Sequence, residues 1–131
     1  MTMISFTVNL DADTAAAKLT EAAQAVPMGV LAHLNGQANC AKKGITLPAD
    51  QILEIFRPDF AIRVWQAHKP AGIDIPLRIH LYDAGGKTVV NYRTAGEVFA
   101  PYASAALDAI AGDIDPIFAR ILAALDPYKE D

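Results

Sequence analysis

Residues 69–93, KPAGIDIPLRIHLYDAGGKTVVNYR, decide the fold class, because they read as two strands joined by a tight turn. Leu77, Ile79 and Leu81 alternate with Arg78, His80 and Tyr82. Beyond the glycine pair, Val90 and Tyr92 alternate with Asn91 and Arg93. A two-residue period means one buried face and one wet face. A two-residue turn at Gly85-Gly86 fixes the register, with Leu81 beside Val90, His80 beside Asn91 and Arg78 opposite Arg93. The polar side of this hairpin is the candidate for function, and solvent is its simplest occupant.

Upstream, residues 3–10 place Ile4, Phe6, Val8 and Leu10 against Met3, Ser5, Thr7 and Asn9, the pattern of a half-buried strand. Asp11 or Asp13 can cap an alanine-rich helix that stops at Pro27. MGVLAHLN (28–35) reads as a second strand, and QANCAKK (37–43) as a short helical segment ending at Gly44. DQILEIF (50–56) is a third strand. Pro58 then opens a helix through DFAIRVWQAH (59–68), and KPAGIDIP is a loop. Beyond Thr94 the pattern is helical, broken at Pro101 and at Asp115-Pro116, which caps and opens a last helix through IFARILAAL.

The order is strand, helix, strand, strand, helix, strand, strand, helix. Alternating rather than continuously apolar strands predict an α+β fold: a curved, mainly antiparallel sheet of about five strands with helices on one face. The 131 residues suffice for one domain spanning 1–131, and 53% hydrophobic against 20% charged residues is a folding composition.

The net charge is −4, with eight Lys or Arg against five Asp or Glu in residues 33–93 and three against ten elsewhere. No basic stripe emerges, so nucleic acid is not expected as a partner. No apolar run spans a bilayer and the start MTMISFTVNLDAD resembles no signal peptide, so a cytoplasmic location without membrane attachment is expected. The single cysteine, Cys40, excludes an internal disulfide framework and a multi-cysteine zinc site.

The stretch from Ala41 to Tyr92 also carries a family pattern: Lys42-x-Gly44 after the second strand, an apolar strand running into Arg57-Pro58, the loop GIDIPL (72–77), and a hairpin ending near Tyr92. On these residues the chain resembles the domain of unknown function 302 family over residues 4 to about 125. The resemblance implies a TATA-binding-protein-like α+β fold and a homodimer. It implies no established activity. Relatives carry Asn where this chain has Arg57, and Asp-His where it has Asn35-Gly36, so no metal, haem or acid–base role of that histidine transfers to Gly36.

His33, His68 and His80 lie on separate elements without ligand spacing, so no metal site is expected. Ser5 and Ser104 sit in no nucleophile elbow. Cys40 precedes Lys42 and Lys43 and could open a helix, which would activate a thiol, although a turn segment holding a small half-buried side chain explains it as well. DAGGK lacks the helix that a phosphate loop needs. Trp65 reads as core or as a dimer contact.

The polar hairpin face remains. Arg78, His80, Tyr82, Asn91 and Arg93 project the same way, and the second strand is expected to add His33 and Asn35. Two facing arginines repel unless a carboxylate, with Glu54 the candidate, or a bound anion lies between them. The expectation is a homodimer that binds a small anionic or planar ligand on this face or at a dimer cleft, with no cofactor named. One alternative is an enzyme using His80 as general acid or base on a carboxylate substrate. The other is a haem protein with a histidine ligand.

Overall fold

The computed structural model describes residues 2–130. Its five strands are β1 (Ile4–Val8), β2 (Gly29–Asn35), β3 (Asp50–Phe56), β4 (Leu77–Ala84) and β5 (Lys87–Tyr92). They form one sheet in the order β1-β5-β4-β3-β2, with every neighbouring pair antiparallel. The α+β class follows directly.

The hairpin forms in the expected register. Leu81 pairs with Val90 and His80 with Asn91. Gly85 (φ 67°) and Gly86 (φ 89°) both take positive φ, as a turn matched to the strand twist requires, and Asp83 Oδ1 accepts from the Gly86 N–H at 3.1 Å. Leu77, Ile79, Leu81 and Val90 are consequently buried.

Helix α1 (Ala12–Ala25) crosses β2 to β5 on that face, burying Leu19 and four alanines, Ala12, Ala15, Ala16 and Ala23, that are small enough for close approach. Its N-cap is Asp11, whose carboxylate accepts from the Thr14 N–H at 2.7 Å. That bond holds the Asp11 carboxyl below the ordinary carboxylate range. Helix α2 (Gly36–Ala41) is capped by Asn35, whose side chain accepts from the Ala38 N–H. Cys40 lies in the last turn of α2, not at a helix start, so the activation expected from a helix N-terminus does not apply.

Helix α3 (Pro58–Ala67) begins at Pro58 and buries Phe60 and Val64. The segment expected as a loop instead winds into a 3-10 helix, Lys69–Asp74. Its Gly72 sits under the Trp65 indole, where an added Cβ would stand 3.0 Å from Nε1. Trp65 is 50% exposed, which overturns its reading as a core residue.

The C-terminal part holds α4 (Ala95–Phe99), a 3-10 turn (Ala100–Tyr102) and α5 (Ala105–Ala123). Asp115-Pro116 was expected to break this region, yet Pro116 lies inside α5. The continuity has two causes. Ile114 and Phe118, either side of the proline, are both buried, so packing opposes the loss of one backbone bond. Asp115 meanwhile caps a different helix, its Oδ1 and Oδ2 accepting from the N–H groups of Ala95 (2.8 Å) and Gly96 (3.2 Å).

The Ala95 backbone belongs to a fully buried residue. Asp115→Ala is therefore expected to cost about 1–3 kcal/mol by leaving a buried donor unpaired, while Asp115→Asn, which keeps one acceptor, costs clearly less. Urea denaturation of the three proteins checks the ranking.

Candidate functional site

Antiparallel pairing sorts side chains by alternation, so the face of the sheet away from α1 is set by register alone. It receives Ser5 from β1, Asn91 from β5, Arg78, His80 and Tyr82 from β4, and Asp50, Ile52 and Glu54 from β3. Arg93 follows β5 directly, one residue beyond the last registered pair Ile79–Tyr92, and lines the same cleft as Arg78.

A hydrogen-bonded line crosses four strands here. The Ser5 hydroxyl donates to Asn91 Oδ1 at 2.6 Å. The Asn91 amide nitrogen lies 3.4 Å from His80 Nδ1, and His80 Nε2 lies 2.9 Å from Asp50 Oδ1. A neutral His80 with its proton on Nε2 satisfies every member, donating to Asp50 and accepting from Asn91. The Tyr82 ring lies beside the imidazole, with centroids 5.2 Å apart. Asp50 and Ser5 are the partners that the sequence did not disclose, because Asp50 reaches His80 diagonally from the next strand.

The expected neutraliser of Arg78 is in place. Glu54 pairs with Arg78 across β3 and β4, and the side chains approach to 3.6 Å. The contact is loose, and Arg78 remains 68% exposed against 21% for Glu54. Arg93 makes no ion pair among the described residues.

Both arginines, His80 and Asn91 line a cleft of about 390 Å³. The 3-10 segment forms its far wall with Ile73 and Asp74. Asp74 accepts a hydrogen bond from the Tyr102 hydroxyl, which raises the Tyr102 phenol above its ordinary value. Tyr92, also in the lining, is raised mainly by burial, against a lowering influence from Lys129.

His33 does not belong to this site, and neither does Asn35. His33 pairs with Leu53 and Asn35 with Gln51, which turns both toward α1. The cause is a bulge between Val30 and Ala32 that inserts Leu31 as an extra residue. Before it, Met28 and Val30 point inward; after it, Ala32 and Leu34 point outward beside Glu54 and Ile52. His33 Nε2 lies 2.6 Å from Gln51 Oε1, and Gln51 Nε2 donates to Asp13 Oδ1 at 2.7 Å. Gln51 is only 1% exposed, so this bridge satisfies an amide that would otherwise be costly to bury.

No group of three or more His, Cys, Asp or Glu residues converges as a metal site among the described residues. Nor is any helix there long and apolar enough to cross a membrane.

Fold and site together define an α+β protein with one helix-covered sheet face and one open face carrying a polar cleft. Residues 4–125 match the family model of Domain of unknown function DUF302, and the chain belongs to that family. It is similar to the crystal structure of an uncharacterized conserved DUF302 protein from Bacillus stearothermophilus, with a TM-score of 0.79 and 24% identity over 96% of this chain and 97% of that one. No curated protein matches the chain. Gly36 borders the site, since a Cβ there would stand 3.3 Å from the backbone oxygen of Asp50.

Because Arg78 is well solvated, Glu54→Gln and Arg78→Gln are each expected to change stability by less than about 1 kcal/mol. Any loss in Glu54→Gln, which leaves both cleft arginines without a carboxylate partner, should shrink when salt is raised. Chemical denaturation at low and high ionic strength measures both effects.

Proposed function

We propose that the cleft on the open sheet face binds a small anionic ligand, with Arg78 and Arg93 as its cationic walls. The observation that carries this reading is the unequal pairing of the two arginines. Glu54 offsets Arg78 at 3.6 Å, whereas Arg93 has no ion-pair partner among the described residues. A carboxylate or phosphate between the guanidinium groups would relieve their repulsion and form charge-assisted hydrogen bonds. His80 and Asn91 would complete the polar floor, with His80 oriented by Asp50. Tyr82 would support the ring from the side.

The catalytic alternative, His80 as general acid or base, is less well supported. Both ring nitrogens face protein partners, so a substrate proton would first have to displace Asn91 from Nδ1, 3.4 Å away. The haem alternative has no geometric support either: His33 and His80 are each hydrogen-bonded, on opposite sides of the sheet.

A thermal-shift series with acetate, phosphate and larger carboxylates is expected to raise the wild-type midpoint. Arg93→Gln should reduce the shift most and His80→Ala less, with both variants still folded. Unchanged wild-type midpoints across the series, or variants that respond like wild type, would show the polar face to be solvated only.

Self-association forms part of the same reading. Ile62 and Trp65 lie three residues apart on one side of α3 and are both half-exposed, a surface that a symmetric pair would cover. Sedimentation equilibrium at tens of micromolar (an order-of-magnitude range for a Kd-limited test) should give the dimer mass, and Trp65→Ser should lower it. A monomer throughout would refute the dimer.

A further inference from the structure

The cleft is not uniformly polar, and its apolar half bears on the kind of anion it would take. Beside the two arginines stand Ile73 from the 3-10 segment and Met3 from the chain entering β1. Ile73 is 82% exposed and Met3 51%, the former the most exposed large hydrophobic side chain among the described residues. Leu77, Val98 and Ile52 continue the same lining. An isoleucine on a short, well-anchored segment could turn inward at little cost. Here the residues on either side of Ile73 are held, Gly72 under Trp65 and Asp74 by the Tyr102 hydroxyl, and Ile73 is still left uncovered at the rim of the cleft.

We infer that the ligand is an amphiphilic carboxylate: an acid group held at Arg93 and Arg78, and an apolar chain or ring lying against Ile73 and Met3. The inference rests on the anion-binding reading above and narrows it to a chemical class. Register supports the arrangement. Met3 continues the β1 ladder next to Arg93, since Ile4 pairs with Tyr92, so charge and apolar surface adjoin on neighbouring strands. An inorganic anion would use the arginines and leave Ile73 and Met3 in water. A carboxylate with an apolar body would use both halves. Among the described residues Asp74 is the only carboxylate in the lining; it accepts from the Tyr102 hydroxyl and makes no ion pair with either arginine. A volume of about 390 Å³ lies toward the small end of ligand clefts, which fits a compact acid and not a long lipid.

Isothermal titration calorimetry with acetate, butyrate, hexanoate, octanoate and inorganic phosphate on the full chain tests this directly. Complete burial of a methylene is worth up to about fourfold in affinity, so a half-open cleft should give about twofold to threefold per added methylene through hexanoate. Ile73→Ser should flatten that dependence while leaving the shortest acids little changed. Arg93→Gln should weaken every acid by about tenfold and keep the dependence, as expected for loss of one charge-assisted contact. Circular dichroism should show both variants folded, since both positions are exposed.

Affinity independent of chain length, or phosphate binding more tightly than hexanoate, would overturn the amphiphilic ligand and leave the anion site standing. No heat with any acid or with phosphate would overturn the anion site and the inference together. A chain-length dependence unaltered in Ile73→Ser, with sedimentation falling from dimer to monomer in that variant, would assign Ile73 to a second copy of the chain and also overturn the inference.

Discussion

The register of the β4–β5 hairpin is the constraint on which the rest of this protein depends. Two glycines with positive φ close the turn in two residues, and that length leaves one pairing for everything beyond it. A slip of one residue would move Leu77, Ile79 and Leu81 into water and drive Arg78 and His80 against α1. With the register held, the central strands present an apolar surface to the helices, and β1 and β3 dock on either side in antiparallel order. The same constraint builds the open face. His80 faces Asn91 because apolar partners one position away must meet beneath them, and Arg78 and Arg93 at the end of the hairpin line one cleft.

The energetics of the two faces differ accordingly. The helix side is closed by dispersion and hydrophobic contact around Leu53, Ile55, Ile79, Leu81, Phe99 and Phe118, and its polar exceptions are each satisfied. Gln51 bridges His33 and Asp13, Thr88 donates to the Leu10 carbonyl, and Asp115 caps α4. The open side is held by hydrogen bonds that run from the buried Asn91 to the more exposed Ser5, His80 and Asp50. Its two cleft arginines are the least tied down, Arg78 paired loosely with Glu54 and Arg93 without an ion pair among the described residues.

How far the sequence could be read follows from locality. The hairpin, the strand Asp50–Phe56, a cap at Asp11 or Asp13 and the Pro58 helix start were legible because each signal lies within a few residues, and the structure gives the cap to Asp11. Glu54 opposite Arg78 was legible because alternation in β3 and β4 leaves few candidates. His33 was misplaced because the apolar alternation through Met28, Val30, Ala32 and Leu34 implies one continuous face, and a one-residue bulge reverses it midway. Nothing local marks that bulge; it matches Gln51, buried from another strand, to a partner. The break expected at Asp115-Pro116 failed for a related reason. Burial of Ile114 and Phe118, together with the use of Asp115 by α4, is tertiary information. Asp50 as the partner of His80 required the sheet order, which no single strand contains.

The central claim is that the open face, through Arg78 and Arg93, holds an acid group. The most direct measurement is a nuclear magnetic resonance titration with hexanoate, following the arginine Nε–H and the backbone amide signals. The account predicts saturable shifts at Arg93 and Arg78 and in the amides of Ile73, His80 and Asn91, with the amides of Asp13, His33 and Gln51 on the opposite face unmoved. Shifts concentrated at Asp13 and His33, or no saturable shift at either arginine, would contradict it.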